Sequence, residues 1–290
     1  MRGNIPIGEL ESCMTISTIK ETAARKGRGF TLVELAVVIA IVALLLGALL
    51  VPLATQHQAR NIRETQESLA DIKEALLGYA VTQGRLPCPD TDRDGLEDPC
   101  GGILNIRDVV EGFLPWQDLG TPATDPWGRI FRYAVTREFT EAAQPGVPAG
   151  PNQLDLADVA NAYISILTRG DDASTPLPAV EGKTPIQLAA NVPAVVLSVG
   201  SNGSGGSLMG AGNLPVSTGT DELTNTSALT SKWILAPPVS QIFVQRSHSR
   251  SSGACSDTAE GQPFCEFDDL LIWISAPVLL NRMVQAGQLP

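Results

Sequence analysis

A long apolar run near the amino terminus constrains this chain more than any other feature. Between Phe30 and Leu53 the only ionisable residue is Glu34, and the run has the length of a membrane-spanning helix. Three basic residues stand just before it, within residues 25–28. Because basic flanks are retained on the cytoplasmic side, residues 30–53 are predicted to span the membrane and everything after them to be exported.

An ordinary secretory signal peptide differs from this segment at two points. Its apolar core is shorter, and small residues mark a cleavage site after that core. Here the cleavage-like feature, Arg28-Gly29, lies before the apolar run, and Glu34 lies inside the run. The order of leader, glycine, aromatic residue, acid and apolar run is therefore the pattern to be explained.

The sequence from Gly29 to Leu35, Gly-Phe-Thr-Leu-Val-Glu-Leu, resembles the processing motif of the type IV pilin superfamily. This superfamily comprises pilins, minor pilins and the pseudopilins of type II secretion. The resemblance implies that a prepilin peptidase cuts between Gly29 and Phe30 and methylates the new amino terminus. Residues 1–29 would be a leader, and Met14 offers an alternative start that would shorten it.

Glu34 would be the fifth residue of the processed chain. A carboxylate at the centre of a bilayer helix costs roughly 2.5–3.5 kcal/mol, so such residues usually have a partner. The free amine of Phe30 is cationic at neutral pH. The resemblance implies that Glu34 pairs with this amine on a neighbouring pilin or pseudopilin subunit, with assembly at an inner-membrane platform.

The helix is predicted to continue beyond the membrane, over residues 54–84. Apolar residues recur there every three to four positions, which is typical of an amphipathic helix, and Gly84 provides a stop. The predicted apolar face consists of Ile62, Leu69, Ile72, Leu76 and Tyr79. The resemblance implies an α+β fold, in which the long N-terminal helix packs on an antiparallel sheet of an exported globular domain, residues 85–290.

Charge and composition narrow the partners and the chemistry. The net charge of the chain is −11, whereas binding to nucleic acid needs clustered Lys and Arg. Of the two histidines, His57 follows the apolar run and His248 lies in a Ser/Arg-rich segment. Without a nucleophile elbow or a paired-His zinc motif, the protein is predicted not to be an enzyme and not to bind nucleic acid.

The cysteines agree with export. Of the five cysteines, Cys13 lies in the predicted leader, and the other four form two pairs that are local in sequence. In an oxidising periplasm the predicted disulfides are Cys88–Cys100 and Cys255–Cys265. Free thiols are an alternative, and a four-cysteine zinc site is disfavoured because neither pair has the short ligand spacing of such sites.

An acidic segment between Cys88 and Cys100 predicts a calcium loop. Calcium loops place oxygens at alternating positions, with a glycine at the sixth position and a backbone carbonyl at the seventh. Gly95 takes the sixth position, whereas the twelfth is Gly101 rather than Glu and no second helix follows. An acidic surface turn is the alternative. The predicted ligands are Asp90, Asp92, Asp94, Leu96 through its carbonyl, and Asp98.

Several segments of the exported domain are predicted as strands. They are a strand after the Asp125–Gly128 turn and the segments Ala162–Leu167, Ala194–Val199, Lys232–Ala236, Gln241–Gln245 and Leu270–Ser275. A short terminal helix is predicted over residues 277–287, and residues 140–160 and 207–231 are predicted as loops. Asp268 and Asp269, at the head of a strand, are a lesser calcium candidate, although acids there more often solvate a strand entry.

These observations predict a pilin-like subunit anchored in the bacterial inner membrane, with its amino terminus cytoplasmic and its globular domain periplasmic or in an extracellular filament. The large globular part favours a minor pilin or minor pseudopilin. The alternative is a bitopic membrane protein whose exported domain binds a ligand or adheres. Cleavage after Gly29 separates the two hypotheses.

Overall fold

The computed structural model describes residues 30–100, 109–140, 162–169, 183–210, 212–226, 241–250, 253–259 and 261–289, with the backbone alone for residues 46–54. The chain divides into two compact units, Met1–Pro52 and Leu53–Pro290.

Helix α1 runs from Leu32 to Gln83. In the second unit its buried face is a stripe with helical spacing, which includes three of the five predicted apolar residues. Gly84 ends the helix at φ +74°, a conformation that glycine adopts without strain, so the predicted stop is confirmed. Ile62 and Tyr79 are only half-buried. The buried stripe consists of Asn61, Thr65, Leu69, Ile72, Leu76, Leu77 and Ala80.

Seven strands form two sheets in the described part of the chain. In chain order they are β1 (Val109–Phe113), β2 (Arg132–Thr136), β3 (Ile164–Thr168), β4 (Ile186–Val192), β5 (Ala194–Ser198), β6 (Gln241–Val244) and β7 (Leu270–Ile274). The larger sheet has the order β1-β2-β5-β7 and is antiparallel throughout. Every residue of β2 and β5 is buried, as expected of central strands that are covered on both faces.

The smaller sheet has the order β4-β3-β6. Strand β3 is antiparallel to β4 but parallel to β6. The predicted antiparallel sheet is therefore confirmed for the larger sheet, whereas the smaller sheet contains one parallel pair. A parallel pair needs a long crossover. The chain between Thr168 and Gln241 is long enough, because it contains β4 and β5.

Three further helices are described: α2 (Trp116–Leu119), α3 (Thr220–Thr226) and α4 (Ala276–Gln285), with a 3-10 turn at Arg137–Thr140. Helix α3 lies in a segment that was predicted as loop, so that prediction is wrong. Strands β1 and β4 were not predicted, and the predicted strand Lys232–Ala236 lies outside the described residues.

Alternation along β2 places two hydrophobic clusters on opposite faces of the larger sheet. Tyr133 and Val135 face the residues of α1 and α4, whereas Ala134 faces the smaller sheet. Because side chains alternate across a strand, the larger sheet forms the middle layer of the second unit. Helices α1 and α4 pack on one face of this sheet, and residues of β3 and β6 pack on its other face.

Candidate functional sites

The first turn of α1 contains the acid predicted to act in assembly. Glu34 is exposed, and its backbone N–H donates a hydrogen bond to Thr31 Oγ1 at 3.2 Å. A threonine before the first turn caps a helix in this way, and Thr-x-x-Glu is the pattern of a capping box. That pattern could have identified Thr31 from the sequence. Gly29 lies outside the described residues.

The helix beyond this cap is apolar and uncovered. Every residue from 30 to 45 is exposed, and Phe30 retains 79% of its accessible surface. Exposed apolar surface of this extent marks a protein–protein or membrane contact. Among the described residues, no helix satisfies the length and hydropathy of a membrane span. The large apolar side chains are Leu32, Val33, Leu35, Val37, Val38, Ile39, Ile41, Val42, Leu44 and Leu45.

The structure contains both predicted disulfides, Cys88–Cys100 and Cys255–Cys265. The first one encloses the acidic loop. Asp90 is buried there and pairs through its backbone with Phe113, at N···O distances of 3.0 and 2.7 Å. Both disulfides therefore close loops that lead into strands or bridges of the globular unit.

Asp90 holds the acidic loop in shape. Its Oδ1 accepts a hydrogen bond from the Arg93 N–H at 2.6 Å, and its Oδ2 accepts one from the Gly95 N–H at 2.8 Å. Burial raises the pKa of Asp90, and these two hydrogen bonds partly oppose the rise. Gly95 has φ +87°, and a Cβ there would lie 2.4 Å from the Trp116 ring, so this position requires glycine.

Three of the four predicted aspartates come together. Asp90, Asp92 and Asp98 each offer a carboxylate oxygen within 4.8 Å of the others. Asp94 is not in this group, and its Oδ1 accepts a hydrogen bond from the Leu96 N–H at 2.8 Å. Carboxylate oxygens are the ligands that calcium prefers. The loop thus brings together three of the predicted acids rather than four, and calcium binding there stays a prediction.

Glu97 ties the loop to the end of α1, a role that was not predicted from the sequence. Its two carboxylate oxygens accept hydrogen bonds from Arg85 at 2.6 and 2.8 Å, and Oε1 also accepts one from the Tyr79 hydroxyl at 2.8 Å. Burial and the bond to Glu97 raise the pKa of Tyr79 to about 12. Glu97 is therefore engaged in anchoring and is not a free ligand of the loop.

Asp268 and Asp269 lie just before β7 and are buried. They form a second group of three acids with Glu222, which comes from α3. The sequence places Glu222 in a segment without apolar periodicity, so no signal of the kind used above could have joined it to the other two.

Next to this group is a buried ion network around Arg246. Its guanidinium pairs with Asp221 at 2.8 Å and with Asp257 at 3.1 Å, and Arg169 pairs with Asp221 at 3.0 Å. The guanidinium also lies 4.5 Å from the centre of the Phe267 ring. Two arginines thus balance two aspartates beside the Cys255–Cys265 loop.

Comparison with known proteins supports the amino-terminal motif. Residues 24–50 match a family model described as the prokaryotic N-terminal methylation motif. The chain therefore carries a prepilin-type methylation motif, which is characteristic of type IV pilins and pseudopilins. No curated protein and no solved structure matches the chain.

Proposed function

We propose that the protein is a membrane-anchored, pilin-like structural subunit that assembles through α1 into a type IV pilus or a type II secretion pseudopilus. The observation that carries the proposal is the joining of two features. A methylation motif occupies residues 24–50, and the helix that it opens exposes its apolar residues from 30 to 45. A prepilin peptidase would process the chain, and other pilin or pseudopilin subunits would cover the exposed helix.

The location follows from the same features. The amino terminus would be cytoplasmic, residues 30–53 would anchor in the bacterial inner membrane, and the globular unit would be periplasmic until assembly. Packing of residues 69–80 of α1 into the core of the larger sheet supports a pilin-like arrangement of helix and head. The size of the head favours a minor subunit over the bulk subunit of a fibre.

Processing and Glu34 provide the test. Mass spectrometry of the mature protein should find an N-methylated Phe30 at its amino terminus. Glu34→Ala should be inserted and cleaved but be lost from the assembled fibre, because the amine of the neighbouring subunit would then lack its carboxylate partner. Glu64→Ala is the matched control, since Glu64 is an exposed acid further along the same helix, and it should assemble normally.

Two results would contradict this proposal. An intact leader in cells with an active prepilin peptidase would favour the bitopic alternative, in which the exported domain binds a ligand or adheres. Normal incorporation of Glu34→Ala into the fibre would refute charge pairing as the assembly step.

The acidic loop is proposed to bind calcium in the exported domain. Support comes from the convergence of Asp90, Asp92 and Asp98 and from the Cys88–Cys100 disulfide that encloses the loop. The carbonyl of Leu96 and the carboxylate of Asp94 stay predictions as further ligands. Calcium would neutralise the acids of this loop, which Glu97 already ties to the end of α1.

A further inference from the structure

The group formed by Glu222, Asp268 and Asp269 differs from an ordinary acidic surface cluster, because all three side chains are buried. Their exposed fractions are 0%, 7% and 4%. Each offers one carboxylate oxygen within 4.8 Å of the other two. Burying a carboxylate costs several kcal/mol unless it is paired or coordinates a metal. Three buried carboxylates this close together therefore need a specific interaction that offsets this cost.

Hydrogen bonds fix two of the carboxylates through one oxygen each. Glu222 Oε1 accepts from Asn202 Nδ2 at 2.8 Å and from the Asp268 N–H at 3.2 Å. Asp268 Oδ2 accepts from Ser201 Oγ at 2.6 Å and from the Asn202 N–H at 2.8 Å. The turn after β5 therefore orients both acids.

Asp269 is fixed in the same way from α3. Its Oδ2 accepts a hydrogen bond from Asn225 Nδ2 at 2.8 Å. Asn225 is itself held by β6, since its Oδ1 accepts from the Val244 N–H at 2.7 Å and its Nδ2 donates to the Val244 carbonyl at 2.9 Å. Outer hydrogen bonds of this kind are what orients metal ligands in metalloproteins.

Within the described part of the chain, the second oxygen of each carboxylate has no hydrogen-bond partner. These three buried atoms are Glu222 Oε2, Asp268 Oδ1 and Asp269 Oδ1. Buried polar atoms are almost always hydrogen-bonded, so each exception needs an explanation. Burial raises the pKa of Glu222, a shift that the Asn202 and Ser217 side chains partly oppose. Each of the three grouped acids therefore keeps one buried oxygen that a cation could bind.

Among the residues that the structure describes, the neighbouring arginines do not balance the group. Arg132 is buried and interacts electrostatically with Asp269, while its Nη1 donates to the Thr226 carbonyl. Arg246 is already paired with Asp221 and Asp257. One arginine therefore faces three acids, whereas in the adjacent network two arginines face two acids.

The turn after β5 approaches the group so closely that residue 200 must be glycine. Gly200 has φ +61°, and a Cβ there would lie 2.5 Å from Asp268 Oδ1 and 2.3 Å from the Asp268 carbonyl oxygen. Asp268 and Asp269 further line a cavity of about 290 Å³, together with Trp127 and His248. Two of the three acids therefore border a cavity, whereas Glu222 does not line it.

We propose that Glu222, Asp268 and Asp269 form a site for a hard divalent cation of the size of Ca²⁺, separate from the acidic loop. Calcium binds oxygens at 2.3–2.6 Å, so two of its ligands lie at most about 4.6–5.2 Å apart. The three acids lie within this reach of one another. Magnesium is usually held by one or two carboxylates and several waters, so three buried carboxylates favour calcium.

Calcium titration of the full chain, purified in detergent with intact disulfides, tests this proposal. The background variant is Asp92→Asn with Asp98→Asn, which removes the loop candidate. Isothermal titration calorimetry should find one calcium per chain in this background. Adding Glu222→Gln should abolish that binding, because glutamine keeps the shape of the side chain but removes its charge. Asn202→Ala should weaken binding about 10–100-fold.

The matched control is Glu266→Gln, the same substitution at an exposed acid next in sequence to Cys265, and it should bind calcium normally. Absence of calcium binding in the folded background variant would overturn the proposal and assign the group shared protons instead. Unchanged binding after Glu222→Gln would overturn it as well.

A second measurement serves if Glu222→Gln does not fold. Crystals of the unsubstituted chain grown with manganese or calcium should give an anomalous peak within about 2.0–2.6 Å of the three unpartnered oxygens. A map without a peak there, at a saturating concentration of the metal, would refute the site.

Discussion

Replacement of Arg246 by methionine should destabilise the second unit strongly. The Arg246 side chain is only 2% exposed, and the side chains of its two carboxylate partners, Asp221 and Asp257, are fully buried. Its guanidinium also donates to the Cys265 carbonyl at 3.0 Å. Methionine fills a similar volume but offers no donor, so the substitution removes the charge and leaves the acids in place.

The stability lost in Arg246→Met depends on the partners that Asp221 and Asp257 keep. Breaking a buried ion pair typically costs 3–5 kcal/mol, because the remaining charge stays buried. Asp221 keeps Arg169 at 3.0 Å, and Asp257 Oδ1 keeps the Cys265 N–H at 3.0 Å. We therefore expect the lower part of the range, about 3–4 kcal/mol, which is a large share of a typical stability of 5–15 kcal/mol.

The defect should depend on pH. Burial and the charge of Asp257 raise the pKa of Asp221, and the two arginines oppose that rise. Without Arg246 the pKa of Asp221 in the folded state rises further. When the pKa of an acid is higher in the folded state than in the unfolded state, the protein loses stability as pH rises toward the folded-state pKa. The loss of stability in Arg246→Met should therefore be larger at pH 8 than at pH 5.

Urea unfolding of the full chain in detergent, followed by tryptophan fluorescence, measures the effect. The matched control is Arg282→Met, because Arg282 forms a pair with Glu74 at 3.8 Å in which both side chains are more than half exposed. Exposed pairs contribute about 0–1 kcal/mol. Equal unfolding midpoints for Arg246→Met and Arg282→Met would refute the reasoning.

Three further outcomes are expected. Calcium at 100 times its Kd should add about 2.7 kcal/mol of stability and so raise the melting temperature, and Asp92→Asn should remove part of that rise. If the unsubstituted protein and Asp92→Asn melt at equal temperatures, both with calcium and with chelator, the loop is an acidic turn. Leu76→Ala, at a fully buried position of α1, should cost about 2–5 kcal/mol in urea unfolding, against less than about 1 kcal/mol for the exposed Val278→Ala. Burial raises the pKa of Glu97, but hydrogen bonds from Arg85, the Cys88 N–H and Tyr79 together outweigh burial, so this pKa is lowered. Stability should therefore fall as pH drops through that pKa, and a loss of stability at low pH that is unchanged in Glu97→Gln would contradict this.

The parts of the fold that sequence predicted well have local physical causes. The buried stripe of α1 follows from apolar spacing, and Gly84 ends the helix because the next turn needs a positive φ. The disulfide partners are ten and twelve residues apart, so chain proximity favours their pairing. Strands β5 and β7 are continuous apolar runs, which the sequence distinguishes from its surroundings.

The parts that sequence missed have buried faces that are not apolar. Helix α3 buries Asp221, Glu222, Asn225 and Thr226. Because these residues are polar, the segment has no apolar periodicity and its sequence predicts a loop. Strand β4 exposes most of its residues and carries register shifts against β3, which weakens any alternation. In both cases tertiary hydrogen bonds, rather than local propensity, define the element.

The same distinction separates the two groups of acids. The acidic loop was found because its aspartates are close in sequence, but in the structure both oxygens of Asp90 already accept hydrogen bonds from backbone amides. The second group joins Glu222 of α3 to the pair before β7. Each of its three acids keeps one buried oxygen that has no hydrogen-bond partner among the described residues. Calcium affinity rises with the charge and rigidity of the ligand set. Since the buried group has three such oxygens and fixed side chains, calcium should occupy it at a lower concentration than the loop.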